Sequence, residues 1–255
     1  MTRSDSEYQY VGNELDVFAH AVNWKSYFKS HLSAFITGDV LEVGAGIGTT
    51  TRILCDGFQR SWTCLEPDPS LVKRLKQAAD DKPFALPVQI TTGTLEDLAP
   101  ALRFDTLLYI DVLEHIENDE AEMARAAARL NPGGTLVVLC PAHQALYTTF
   151  DRVIGHHRRY NKVMFRAIAP SDMVQEKLIY LDAVGLMLSA ANRLLLRSGS
   201  PTIGQVKLWD RIFVRGSRLI DPLLANSVGK SIVGVWRKAS SAQAVQYQAY
   251  GREHK

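Results

Sequence analysis

Three glycines and two glutamates carry the first candidate chemistry of this chain. In VLEVGAGIGTTTRIL, residues 40–54, Glu42 stands ahead of Gly44, and Gly46 and Gly48 follow at alternate positions before Thr49. The pattern is G-x-G-x-G, whereas a dinucleotide fingerprint reads G-x-G-x-x-G. A pyrophosphate approaching this loop and the helix behind it would meet the repulsion of Glu42. A carboxylate here suits a cation such as an α-ammonium, and the ligand's own carboxylate can face the helix N-terminus near Thr49. Glu66, in CLEPDPSL, ends the next strand-like run, where a carboxylate can accept two hydrogen bonds from a ribose diol. Together these residues describe a nucleoside joined to an amino acid, which is S-adenosylmethionine.

A second set could act on a substrate. FDTLLYIDVLEHI brings Asp111, Glu114 and His115 together, His143 follows the fifth strand-like run, and GHHRRY supplies His156. Histidine titrates near neutrality, so His156 is the candidate general base. Arg158 and Arg159 could clamp an anion, or else hold the loop with salt bridges around Tyr160. Asp111, Glu114, His115 and His156 could also ligate a divalent ion. Carboxylate and histidine clusters perturb one another without metal, and the expectation is that no metal is bound. His143 is read as catalytic or as a simple hydrogen-bonding group.

These groups need a scaffold, and the pattern supplies one. The chain has 255 residues, 46% of them hydrophobic, and a net charge of +2. That length can bury a sizeable core, and the charge gives no bias toward nucleic acid. Three cysteines without C-x-x-C pairing argue against a disulfide framework or zinc site. The polar opening MTRSDSEYQY does not read as a signal peptide, and LDAVGLMLSAANRLLL is too short and too interrupted to span a membrane. A soluble, cytoplasmic protein is expected. Strand-like runs at 40–43, 61–67, 87–93, 104–111 and 135–142 alternate with helical runs at 49–56, 70–79 and 117–130. Such alternation predicts a doubly wound α/β fold. HQALYTTFDRVIGHHRRYN reads as a long functional loop. KLIYLDAV and KSIVGVWRK read as two further strands, with helices at 184–197 and 205–225 between them. In the second helix the leucines are expected inside, and Arg211, Arg215 and Arg218 form a solvated face.

VLEVGAGIGTTTRIL, LEPDPSL, GTLEDL, FDTLLYIDVLEHI and LNPGGTLVVLCPA resemble, in order and spacing, the motifs of class I S-adenosylmethionine-dependent methyltransferases. The resemblance covers about residues 38–142. It implies that Glu42, Gly44, Ala45, Gly46, Gly48 and Thr49 hold the methionine part, and that Glu66 with Pro67 meets the ribose. Thr94, Leu95 and Glu96 would then run along the adenine, with Asp111 near the transferred methyl. Thr94 stands where many relatives carry Asp, leaving Glu96, Asp97 or backbone to read the adenine amino group. DVLEH is similar to the strand-four loop of ubiquinone-pathway O-methyltransferases. It also resembles the Glu-x-x-Glu-His metal element of small-RNA 2′-O-methyltransferases, with Asp for the first Glu. FDRVIGHHRRYN and the C-terminal motifs look like bacterial methyltransferases associated with glycosyl transfer and secondary metabolism.

The fold so implied is a Rossmann-like, mostly parallel seven-stranded sheet with N-terminal helices and a helical cap inserted before the last strand. The expected organisation is an N-terminal cap over 1–37, a core over 38–182, an inserted substrate cap over 183–228, a last strand over 229–238 and a polar tail over 239–255. The expected activity is methylation of a small molecule, most readily at a hydroxyl oxygen, in secondary or cell-envelope metabolism. Methylation at nitrogen or carbon, and a nicotinamide-dependent dehydrogenase, are the alternatives. A hydrophobic or anionic acceptor suits the apolar, basic cap, and no nucleic-acid partner is expected. The same cap raises contact with a membrane surface as a rival reading to the solvated face.

Overall fold

Apolar, β-branched runs form the middle of the sheet. The computed structural model of the protein describes residues 10, 12, 14–191 and 201–240. Its strands are β1 (Asp39–Val43), β2 (Ser61–Glu66), β3 (Val88–Thr92), β4 (Phe104–Ile110), β5 (Leu130–Pro141), β6 (Met173–Leu181) and β7 (Ser231–Lys238). They lie in the order β3-β2-β1-β4-β5-β7-β6. All neighbours run parallel except β7, which is antiparallel to both β5 and β6. Successive strands move outward from β1 in one direction and then from β4 in the other. That reversal opens a crevice beyond the carboxyl ends of β1 and β4, the usual ligand position in such sheets.

The helices are α1 (Glu14–Phe18), α2 (Val22–Leu32), α3 (Thr51–Leu54), α4 (Pro69–Asp81), α5 (Asp119–Ala128), α6 (Thr149–Val153), α7 (Lys162–Ala167), α8 (Ala183–Ala191), α9 (Ile203–Leu208) and α10 (Val214–Leu223). Side chains on both faces of the sheet make two buried layers. One gathers Trp24, Phe28, Leu54 and Trp62, the other Tyr109, Met123, Phe165 and Trp236. The fold expected from the sequence is therefore present, the helical segment before the last strand included.

Several local expectations change. The cap of α4 is Asp68, which accepts from Ser70 N and Leu71 N, and Pro69 opens the helix. Ser70, where the expected helix begins, lies inside it, because Pro at the first helical position already presets the backbone. α3 is a single turn, shorter than the expected 49–56. The segment expected as a loop after β5 is folded. Thr148 and Asp151 form a capping box that starts α6, and Ala142 bridges Tyr160 to close the excursion. The tail expected over 239–255 lies outside the described residues from position 241 onward, and so does the expected helical stretch from 192 to 197.

The cap differs most. α9 and α10 are joined by a π turn, Trp209–Phe213, and the buried side of this continuous segment carries Val206, Asp210, Val214, Ser217 and Asp221. The leucines expected inside are outside: Leu208 is 52% exposed, Ile212 57%, Leu219 74% and Leu223 84%. The aspartates tolerate burial because they satisfy backbone donors elsewhere. α2 has no local side-chain cap. Asp210 supplies one from far along the chain, accepting from Asn23 N at 3.1 Å and Trp24 N at 2.8 Å. Asp221 accepts from Tyr27 Oη, Asp182 N and Ala183 N at 2.8, 2.6 and 2.9 Å. Pairing orphan helix donors with these carboxylates outweighs leucine burial in setting the face.

Candidate active site

Strained backbone marks the carboxyl edge of the sheet. Asp111, His143 and Asp182 adopt positive φ (55°, 66° and 69°) just past β4, β5 and β6. Non-glycine residues rarely hold this conformation, and it clusters at functional sites. In the loop after β1, Gly44 and Gly46 have φ of 68° and 56°. A Cβ on Gly44 would stand 2.6 Å from Val112 Cγ2, and one on Gly46 would stand 3.6 Å from Leu15 of α1. The loop thus packs against Val112 at Gly44 and lies close to Leu15 of α1 at Gly46, and Tyr10 N donates to Asp68 Oδ2.

Glu42 lies beneath this loop, 2% exposed. Its Oε2 accepts from Thr51 Oγ1 at 2.7 Å and Trp62 Nε1 at 3.0 Å. Burial pushes its carboxyl up to about 7, against the pull of those two donors. Glu66 accepts from Gly46 N through Oε2 at 2.8 Å and from Asp68 N through Oε1 at 3.0 Å. Each oxygen keeps a further lone pair, and Pro67 leads from it into the Asp68 cap. Ala45 is buried, Gly48 packs toward Leu75, and Thr49 precedes α3. Leu95 is buried. Thr94 N and Oγ1 donate to Asp97 Oδ2, while Glu96 pairs with Arg125 at 3.0 Å on a half-exposed surface. The structure therefore gathers the loop, Glu66 and Asp111 at one crevice, and directs Glu96 toward α5. Carboxylates suited to an ammonium and to a ribose diol, held on either side of the glycine loop, form a donor set that fits S-adenosylmethionine.

The second set converges beside it. His156 Nδ1 lies 3.0 Å from Asp151 Oδ1. Asp151 also takes Arg159 Nε at 2.8 Å and Nη2 at 2.9 Å. Burial raises the Asp151 carboxyl, yet the bonds from His156 and Arg159 override that and hold it far below the usual carboxylate range. An ionised Asp151 places the His156 proton on Nδ1 and leaves Nε2 with a lone pair. The rings of His115 and His156 meet edge to face at 4.5 Å, and burial pushes His115 down to about 3, so it is neutral. Asp111 is open to the crevice yet surrounded by protein, and this burial raises its carboxyl, opposed by His156, Lys25 and Lys230.

Among the described residues, Glu114, His115 and His156 place ligand atoms within 4.8 Å of one another. Asp111, the fourth candidate ligand, is outside that group. Glu114 is fully buried, and neither of its oxygens has a hydrogen-bond partner. His143 bonds Gly229 O through Nε2 at 3.0 Å and stacks on Tyr180. The two arginines of GHHRRY hold the loop. Arg158 pairs with Asp119 at 2.7 Å, Arg159 with Asp151, and Tyr160 is buried with its hydroxyl on Asp119.

Four groups at the site escape a reading of motifs. Asp151 stands one helical turn ahead of His156, the one signal that was available. Lys25 is buried on α2, donates to Phe18 O and is pushed down by burial to about 8. Lys230, immediately before β7, lies 4.5 Å over the Trp209 ring. Glu14 of α1 is buried with both oxygens unpartnered. All three lie outside the motif-bearing segment.

A Rossmann-like sheet with the glycine loop, Glu42 and Glu66 at its crevice defines a nucleoside-cofactor fold of the methyltransferase type. Residues 41–136 match the family model of a methyltransferase domain. That stretch is similar to a methyltransferase domain, and the fold around it is the one that solved methyltransferases share. It is 32% identical over 102 residues to a ubiquinone biosynthesis O-methyltransferase of Bradyrhizobium sp. (strain ORS 278), covering 39% of this chain and 38% of that one. The match thus spans well under half the length of this curated relative. A putative sarcosine dimethylglycine methyltransferase from Galdieria sulphuraria shares the fold at a TM-score of 0.58 and 18% identity, covering 86% of each chain. Coclaurine N-methyltransferase bound to N-methylheliamine and S-adenosylhomocysteine shares it at 0.58 and 13% identity, covering 86% of this chain and 72% of that one.

A pH dependence follows from Glu42. A cofactor ammonium nearby favours the ionised carboxylate, so binding releases a proton wherever the free protein still holds one. Affinity for S-adenosylhomocysteine is expected to rise with pH and level off above about 7. Calorimetry across that window, with Glu42→Gln as control, checks this. A flat wild-type profile contradicts it.

Proposed function

We propose that this chain transfers a methyl group from S-adenosylmethionine to a hydroxyl oxygen of a small molecule, with His156 as the general base. The Asp151–His156 pair beside Asp111 carries the reading. An alcohol or phenol needs a base to become a competent nucleophile, whereas an amine needs only positioning. When bound, S-adenosylmethionine supplies a methyl carried on a sulfonium sulfur. The oxygen–carbon bond forms as the carbon–sulfur bond breaks, and the hydroxyl proton passes to His156 Nε2. Asp151 then faces an imidazolium and stabilises it. Neutral His115 packs edge-on against His156 and limits its rotation, and Asp111 supplies negative potential toward the cationic centre. The partial likeness to ubiquinone-pathway O-methyltransferases supports oxygen as the acceptor.

The buried, unpartnered Glu114 favours a second reading, in which Glu114, His115 and His156 hold a divalent cation that lowers the hydroxyl pKa. One experiment separates the two. The protein is dialysed against a chelator and assayed with ¹³C-methyl-labelled cofactor on a panel of phenols, alcohols and amines. The general-base reading predicts labelled methyl ethers whose yield is unchanged by chelation. A loss of about tenfold or more, restored by Mg²⁺, Mn²⁺ or Zn²⁺, favours the metal, and labelled amines alone overturn oxygen as the acceptor.

A further inference from the structure

The face that α9 and α10 turn outward has the wrong composition for a solvated surface. Leu208, Ile212, Leu219 and Leu223 form a stripe directly opposite the buried Val206, Asp210, Val214, Ser217 and Asp221. Ile203, 43% exposed, extends it at one end and Leu224, 41% exposed, at the other. Lys207, Arg211 and Arg215 are exposed along this stripe. Both acidic residues of the segment point inward and are bonded to α2 and to the start of α8, so the outer face carries no carboxylate. Arg211 and Arg215 form no ion pair among the described residues. Arg218 is turned toward the body, donating to Asn23 O and lying over Tyr27. At one flank, His20, Val22, Asn23, Lys207 and Arg211, together with the inward-turned Asp210, line a cleft of about 390 Å³, and Val22 is 56% exposed.

A helix with an aliphatic stripe outside and cations alongside is the physical form of an interfacial segment. Apolar side chains enter the acyl boundary and the cations meet lipid phosphates. No described helix is long and apolar enough to cross a membrane, so the geometry suits lying on a bilayer. A protein partner of opposite charge would be expected to pair Arg211 and Arg215 with carboxylates. An anionic lipid surface satisfies both features, since it offers fluid apolar depth under a dense layer of negative charge.

We propose that this chain docks on anionic lipid bilayers through the outer face of α9 and α10. Leu208, Ile212, Leu219 and Leu223 insert, and Lys207, Arg211 and Arg215 contact phosphates. This does not depend on the methyl-transfer reading, because the surface lies outside the residues assigned to it. The test is sedimentation of the full chain with vesicles of phosphatidylcholine and phosphatidylglycerol, against vesicles of phosphatidylcholine alone. Binding to the anionic vesicles is expected to exceed binding to the neutral ones by about tenfold or more and to weaken as salt rises. The Leu219→Ser/Leu223→Ser variant is expected to lose roughly tenfold in vesicle affinity, and Arg211→Glu/Arg215→Glu to lose the anionic preference. Unchanged affinity for S-adenosylhomocysteine is expected in both, which shows that the variants are folded. Equal partitioning onto the two vesicle types, or leucine variants that bind as well as wild type, overturns the proposal. So does a dimer by light scattering that the leucine variants dissociate without affecting vesicle binding, since a second copy would then occupy the face.

Discussion

Replacing His156 by alanine is expected to lower kcat by about 100-fold or more while leaving S-adenosylhomocysteine affinity nearly unchanged. The size follows from what the imidazole does in the proposed reaction. Without it, the remaining groups are poor substitutes: His115 is buried and disfavours a charge, and the Asp111 and Glu114 carboxyls lack the Asp151 partner that would stabilise a proton gained in the reaction. Asp151→Asn tests the same arrangement from behind. An amide cannot stabilise the imidazolium and could present its donor to Nδ1, which forces the proton onto Nε2. Its loss is expected to approach that of His156→Ala, because the wrong tautomer is as inactive as a missing base. Steady-state kinetics with calorimetry on each variant reads both effects. A loss below about tenfold for His156→Ala with intact cofactor binding assigns the residue to structure rather than to the reaction.

Asp221→Ala is expected to destabilise the fold by about 3 kcal/mol or more, which is among the larger effects of a single substitution. The side chain is fully buried and serves three donors from two distant segments: the Tyr27 hydroxyl of α2 and the amides of Asp182 and Ala183 at the start of α8. Truncation leaves all three without a partner in a space that holds little water. Asp182 is linked to the same cluster, since it accepts from Ser217 Oγ at 2.6 Å and Trp209 Nε1 at 2.9 Å. The cap, the N-terminal helices and the edge of the sheet are therefore joined by one set of buried carboxylates. Urea unfolding should show a clear fall in midpoint for Asp221→Ala and almost none for the exposed Arg215→Ala. A shift as small as that of Arg215→Ala would mean that the cap is held by apolar packing alone.

The segment from β1 to β5 was legible because its signals are local. Glycine spacing, a carboxylate ahead of it and apolar runs of strand length each report on neighbours a few positions away. Glu42 and Glu66 follow from that local grammar, Asp111 from the family resemblance, and the loop's positive φ values agree with the glycine spacing. In the cap the periodicity of the leucines points to the wrong face, for an equally physical reason. Hydrophobic periodicity assumes that leucines choose the inward side. Here the inward side is chosen by Asp210 and Asp221, whose partners Asn23, Trp24 and Tyr27 lie far away in the chain. The same limit hid Lys25, Lys230 and Glu14, which reach the crevice only through tertiary packing. His143 shows the intermediate case. Its position past the fifth strand was legible, while its bond to Gly229 O depends on where β7 begins.

The central claim is that the loop from Gly44 to Gly48, with Glu42 and Glu66, holds S-adenosylmethionine. Calorimetric titration of the purified chain with S-adenosylhomocysteine, alongside NAD, tests it most directly. The account predicts saturable binding of S-adenosylhomocysteine in the micromolar range, no comparable heat from NAD, and a loss of about tenfold or more in Glu66→Ala as the ribose contact is removed. Tight binding of NAD, or S-adenosylhomocysteine affinity indifferent to Glu66→Ala, would contradict it.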